Sequence, residues 1–86
     1  MNQPVILMYS RASCSYCVAA RNLLKSKALD WSEISIDAEP HRRDEMIERS
    51  GRRTVPQVFI GEHHVGGFDD LSAANQSGEL DRLLEA

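Results

Sequence analysis

Two cysteines three positions apart, Cys14 and Cys17, are the residues whose type and spacing most directly allow chemistry. A thiolate attacks disulfide sulfurs, and a second thiol one helical turn away can resolve the mixed disulfide that forms. At that spacing on a helix the two Cβ atoms lie about 5 to 6 Å apart on one face, which modest backbone adjustment brings within disulfide reach. The run Cys14-Ser15-Tyr16-Cys17 falls where a strand and loop give way to a helix, so free N–H groups and the positive end of the helix dipole face the first sulfur. Placement of that kind lowers a cysteine pKa from about 8.5 into a range of about 3.5 to 7.5. Cys14 is the expected nucleophile and Cys17 the resolving thiol. Metal ligation is the competing use of two cysteines, but a closed zinc site wants four ligands and only His41, His63 and His64 are there to join them. His63 and His64 are strand neighbours on opposite faces, so at most one of them faces a given metal. All three read as surface imidazoles, and no metal site is expected.

Two neighbours of the pair carry chemistry of their own. Arg11, on the same loop as Cys14, adds a fixed positive charge that either stabilises the thiolate or binds a carboxylate on an incoming partner; the plain alternative is a solvated arginine. Tyr16, exposed at a helix start, offers its ring to a docked ligand or packs locally.

The elements that must position these residues are legible from pattern. Val5 to Tyr9 is a continuous apolar run of strand length, the signature of a central strand covered on both faces. Cys14 to Lys27 carries Val18, Ala20, Leu23 and Leu24 near helical spacing, with Arg21, Lys25 and Lys27 left for solvent. Trp31 to Asp37 alternates, with Ile34 and Ile36 pointing one way, and the strand, helix, strand order implies a right-handed parallel crossover. A second helix is expected from Pro40 to Ser50, stopped by Gly51. Gln57 to Ile60 and His63 to Val65 flank the hairpin pair Gly61-Glu62, and Asp69 to Asn75 and Glu79 to Leu84 look helical, broken at Gly78. The reading is a β-α-β-α-β-β-α order, an α/β architecture of four strands in a mixed sheet flanked by helices.

Composition limits the partners. Eighty-six residues make room for a single domain, 1–86, and 42% hydrophobic with 27% charged content argues against disorder. A formal net charge of −3 leaves no global basic field for a nucleic-acid backbone. The N-terminal apolar run is far too short to span a bilayer and lacks a secretory signal's pattern, and two close cysteines are no secreted disulfide framework. A cytoplasmic protein without nucleic-acid or membrane partners is expected.

A second constellation lies downstream: Thr54-Val55-Pro56 before the third strand, where a proline belongs because it cannot donate to the sheet, and Gly66-Gly67-Phe68-Asp69-Asp70 after the hairpin. With C-x-Y-C, T-V-P and G-G-x-D-D in this order and spacing, the chain from about Val5 to Leu84 resembles the glutaredoxins, the glutathione-dependent branch of the thioredoxin-fold superfamily. The resemblance implies a cis bond between Val55 and Pro56, and a Val55 backbone that pairs strand-like with the cysteinyl unit of glutathione in a groove lined by Thr54. It implies that Gly66 and Gly67 allow close backbone approach. The helix start at Phe68 to Asp70 then meets the γ-glutamyl carboxylate with N–H groups and its ammonium with an Asp side chain. One aspartate caps and the other binds; Asp69 as a plain N-cap is the simpler role. Arg11 would hold the glycyl carboxylate, and Arg52 and Arg53 either extend that positive rim or are solvated loop residues.

The implied activity is thiol–disulfide exchange by a monomer, with glutathione as co-substrate and no tightly bound cofactor. It would act on glutathionylated proteins and on disulfide-containing proteins, ribonucleotide reductase among the possible ones. One departure is Ser15, where the family's commonest motif has proline. Family members with a small residue there include some that bridge a [2Fe–2S] cluster between two subunits, through the first cysteine and glutathione, and that is the alternative reading.

Overall fold

Alternation along two short strands divides the interior of the computed structural model into two layers. The structure describes residues 4–85; residues 1–3 and 86 of the expected domain lie outside it. Strand β1 (Ile6–Ser10) sends Ile6 and Met8 to one face of the sheet and Tyr9 to the other, and β3 (Gln57–Ile60) does the same with Val58 and Ile60 against Phe59. All these side chains are almost wholly buried, as a strand covered on both faces requires.

The first face is covered by helix α1 (Ser15–Ser26), helix α3 (Phe68–Ser77) and helix α4 (Glu79–Glu85), which contribute Ala20, Leu24, Leu71 and Leu80. Each of the three leucines is fully buried, worth about 2 kcal/mol apiece as area removed from water. The second face is covered by α2 (Arg42–Ser50), whose Met46 meets Tyr9, Ile36 and Phe59. With β2 (Ser32–Ser35) and β4 (His63–Gly66) on the flanks, the sheet order is β2-β1-β3-β4, parallel between β1 and β2 and antiparallel elsewhere. The α/β mixed sheet expected from the sequence is the one observed, with the final helical region split in two at Gly78, whose φ is +87°.

Boundaries moved where side chains intervened. The second strand is Ser32–Ser35 rather than Trp31 to Asp37, because Asp37 turns back to accept from the Ala12 N–H at 3.0 Å. The second helix starts at Arg42, not Pro40; a turn closed by Arg42 N–H to the Glu39 carbonyl comes first. Val18, expected on the apolar face of α1, is 48% exposed. Cys17, Ala20 and Leu24 keep the i, i+3, i+7 rhythm that points inward, and Val18 lies one residue, about 100°, off that stripe.

Candidate active site

The loop after β1 ends by placing Cys14 as the N-cap of α1 in an extended conformation, with its sulfur accepting from the Cys17 N–H at 3.1 Å. The first turn of α1 contains no acidic residue. An N–H aimed at the sulfur and an unopposed positive helix end both stabilise negative charge there. Cys14 and Cys17 are joined as a disulfide with Cα atoms 5.2 Å apart, so the structure is of the oxidised form. The two sulfurs are not equivalent: Cys17 is completely buried, whereas Cys14 is partly exposed. An incoming thiol or disulfide reaches Cys14 alone.

Opposite the cysteines, the Val55–Pro56 peptide bond is cis, and the Val55 carbonyl oxygen lies 3.9 Å from Cys14 Sγ. Thr54, Val55 and Pro56 form one wall of a cleft of about 340 Å³; Gly67, Phe68, Asp69 and Asp70 form a second, and Tyr16 closes an end with its ring stacked on Phe68, centroids 6.3 Å apart. That is a volume suited to a small ligand.

Helix α3 begins one residue earlier than the sequence suggested, at Phe68, and this gives the two aspartates different surroundings. Gly67 is the N-cap, and Asp70 reaches back to accept from the Gly67 N–H at 3.0 Å. Asp69 is exposed on the cleft wall. Asp70 also takes the Arg52 guanidinium at 2.7 Å, and that partner first, then the Gly67 N–H, holds its carboxyl below the usual range. Gly66, at φ +121°, sits directly behind this carboxylate, and a Cβ there would run into it.

Eight of the nine expected ligand-binding residues thus line one cleft. The ninth, Arg11, is outside the cleft-lining set: its Nε pairs with Asp37 Oδ1 at 3.2 Å, and the two are exposed. The cation on the cleft wall is Arg52, which the sequence left as a possible rim residue. Its signal was position, two residues before Thr54 in the same loop. Among the described residues no group of three or more His, Cys, Asp or Glu side chains could hold a metal ion, and no helix is long and apolar enough to cross a membrane.

A buried cysteine beside an accessible one, capping a helix that follows the first strand of this sheet, defines a thiol–disulfide oxidoreductase of thioredoxin-like architecture. Known proteins agree. The glutaredoxin family model matches residues 6–65. A glutaredoxin of Pseudomonas aeruginosa is 47% identical over 83 residues, 96% of this chain and 99% of that one. Among solved structures, the Brucella melitensis glutaredoxin superposes with a TM-score of 0.85 at 48% identity, covering 98% of this chain and 91% of that chain. A buckwheat glutaredoxin in complex with glutathione gives 0.87 at 29% identity, covering 96% and 77%. The chain belongs to the glutaredoxin family.

Proposed function

We propose that this glutaredoxin-family chain uses glutathione, removing it from glutathionylated proteins and reducing protein disulfides at its expense, as a cytoplasmic monomer. The observation that carries the reading is the cleft beside Cys14, where the Thr54–Val55–Pro56 segment runs opposite the N-terminus of α3. An extended tripeptide with a carboxylate at each end and an ammonium at one suits such a groove. Main-chain groups of Val55 take its cysteinyl unit, N–H groups at the start of α3 take the γ-glutamyl carboxylate, and Asp69 or Asp70 takes the ammonium. Arg11, on the Cys14 loop, takes the glycyl carboxylate, exchanging or sharing its partner Asp37. The buckwheat relative solved in complex with glutathione supports glutathione as the ligand.

In the reaction, the Cys14 thiolate attacks the glutathione sulfur of a mixed disulfide. That S–S bond breaks, the protein thiolate leaves and takes a proton, and Cys14 carries the glutathionyl group. A second glutathione thiolate attacks that group's sulfur, forming oxidised glutathione and restoring Cys14. With a protein disulfide, Cys14 attacks one sulfur and Cys17 then displaces the substrate from Cys14, leaving the Cys14–Cys17 disulfide, which two glutathione molecules reduce.

The test is turnover of a glutathionylated peptide with NADPH, glutathione reductase and catalytic protein. Cys14→Ser is expected to abolish it, and Cys17→Ser to spare it while removing reduction of protein disulfides. Equal loss in both variants would overturn the assigned roles. No turnover by the wild type, with visible absorption after anaerobic purification and a dimer on sizing, would instead indicate glutathione-assisted [2Fe–2S] binding.

A further inference from the structure

Behind the Thr54 wall lies a buried amide that the mechanism above does not use. Gln57, the first residue of β3, is completely buried, and a buried amide must satisfy both of its ends. One end lies 3.0 Å from the Thr54 carbonyl oxygen and 3.4 Å from the Thr54 hydroxyl. A carbonyl oxygen carries no proton, so the atom facing it is the amide nitrogen. The other end is then Oε1, an acceptor only, and it lies 2.7 Å from Nε2 of His64 on β4. His64 must therefore donate from Nε2. Its ring is held by Phe59, centroids 4.9 Å apart. Burial chiefly, with Arg52 and His63 adding and Asp70 opposing, keeps the ring's pKa below the usual histidine value, so at neutral pH it is the neutral tautomer with hydrogen on Nε2.

The geometry points to His64 and Gln57 as positioning residues for substrate: His64 fixes Gln57, Gln57 fixes Thr54, and the Thr54 wall is thereby set against the glutathionyl arm of the mixed disulfide. This rests on the glutathione reading above. Thr54 adjoins Val55, whose carbonyl lies 3.9 Å from the reacting sulfur, so a wall that drifts misplaces the arm without altering the thiolate itself. The consequence is selective. The relay should govern recognition of glutathione mixed disulfides and leave attack on other small disulfides unchanged.

The experiment compares wild type, Gln57→Glu, His64→Phe and His64→Gln on one peptide carrying either a glutathione or a free-cysteine mixed disulfide. Glutamate keeps the shape of Gln57 and in its ionised form has no hydrogen for the Thr54 carbonyl. Its KM for the glutathionylated peptide is expected to rise about tenfold, with kcat within about twofold and the cysteinylated peptide unaffected. His64→Phe should raise the same KM by about threefold, and His64→Gln, whose amide nitrogen can stand where Nε2 stood, should restore it. The pH midpoint for Cys14 alkylation should not move in any variant. In the wild type, long-range proton–nitrogen correlation spectra should place the His64 hydrogen on Nε2. A hydrogen on Nδ1, an unchanged KM in Gln57→Glu, or equal losses on both peptides that follow the fall in Tm would each overturn the relay. A wild type that does not prefer the glutathionylated peptide would instead remove the glutathione reading; a preference that survives in Gln57→Glu removes the relay alone.

Discussion

Two helix N-termini open onto the same cleft, and they are built in opposite ways. That of α1 has no carboxylate in its first turn, and the group that accepts from its free N–H is the sulfur of Cys14. That of α3 carries Asp69 and Asp70 in its first turn, with Asp70 folded back onto the Gly67 N–H and bridged to Arg52. The positive end of a helix stabilises whatever anion is nearest. In α1 that position is kept for a thiolate; in α3 a protein carboxylate stands beside the free N–H groups, which makes an end suited to a partner bearing both charges. The carboxylate that α1 engages lies on its flank, where Glu33 accepts from Arg21 at 2.6 Å, from Ser10 at 2.6 Å and from Trp31 at 3.0 Å.

The largest effect expected on this contrast comes from Gly66→Ala. The new Cβ meets the Asp70 carboxylate at a φ that side chains rarely adopt, so the α3 end should be dismantled at a cost of about 3 kcal/mol. In a thermal melt that corresponds to a Tm lower by more than about 10 °C, accompanied by a higher KM for glutathionylated peptide; a lower Tm with unchanged KM would mean that the Asp70 arrangement does not serve the ligand.

Next is the flank of α1. Arg21 first, then Ser10 and Trp31, outweigh burial and hold the Glu33 carboxyl at about 2. A carboxylate whose pKa is depressed by folding contributes in full above its unfolded value, near 4.3, and loses that contribution as pH falls through about 2. Glu33→Gln should therefore lower stability at pH 7 by about 2 kcal/mol, allowing for partial solvent screening, and flatten the acid side of the stability profile. Urea titrations at pH 7, 4 and 3 measure this. Turnover at pH 7 by the folded variant should equal that of the wild type, since the cluster does not touch the cleft.

Asp70→Asn keeps an oxygen for the Gly67 N–H and removes the charge. The expected result is a KM about tenfold higher with kcat little changed, the loss of one charge-assisted contact. Ser15→Asp is the smallest perturbation and the most direct: it gives α1 the carboxylate that α3 already has. The pH midpoint of Cys14 alkylation should rise by about half a unit, and an unmoved midpoint would show that the helix end does not act on the sulfur.

Much of this was readable in the chain because it depends on local pattern. The apolar run Val5 to Tyr9, the alternating Ile34 and Ile36, the stop at Gly51 and the hairpin at Gly61 each follow from the conformational preferences of a few consecutive residues, and each element appeared within about two residues of its expected bounds. The cysteine pair was legible for the same reason: a residue at the helix cap and the one three positions on are brought together by the cap itself, here with the Cys17 N–H on the Cys14 sulfur. His64 shows the limit. Read as a surface imidazole, it is partly buried and bonded to Gln57, and nothing local distinguishes it from exposed His63.

What the sequence by itself determined is the kind of chemistry and the order of elements, since both are set by residue type and short-range period. Tertiary structure alone decided which cysteine meets solvent, that Arg52 rather than Arg11 stands on the cleft wall, that Asp70 caps while Asp69 is free, and that Gln57 supports Thr54 from behind. Each of these depends on the distance between segments brought together by sheet pairing, and partner selection there follows from which donor and acceptor are left unsatisfied once the backbone has folded.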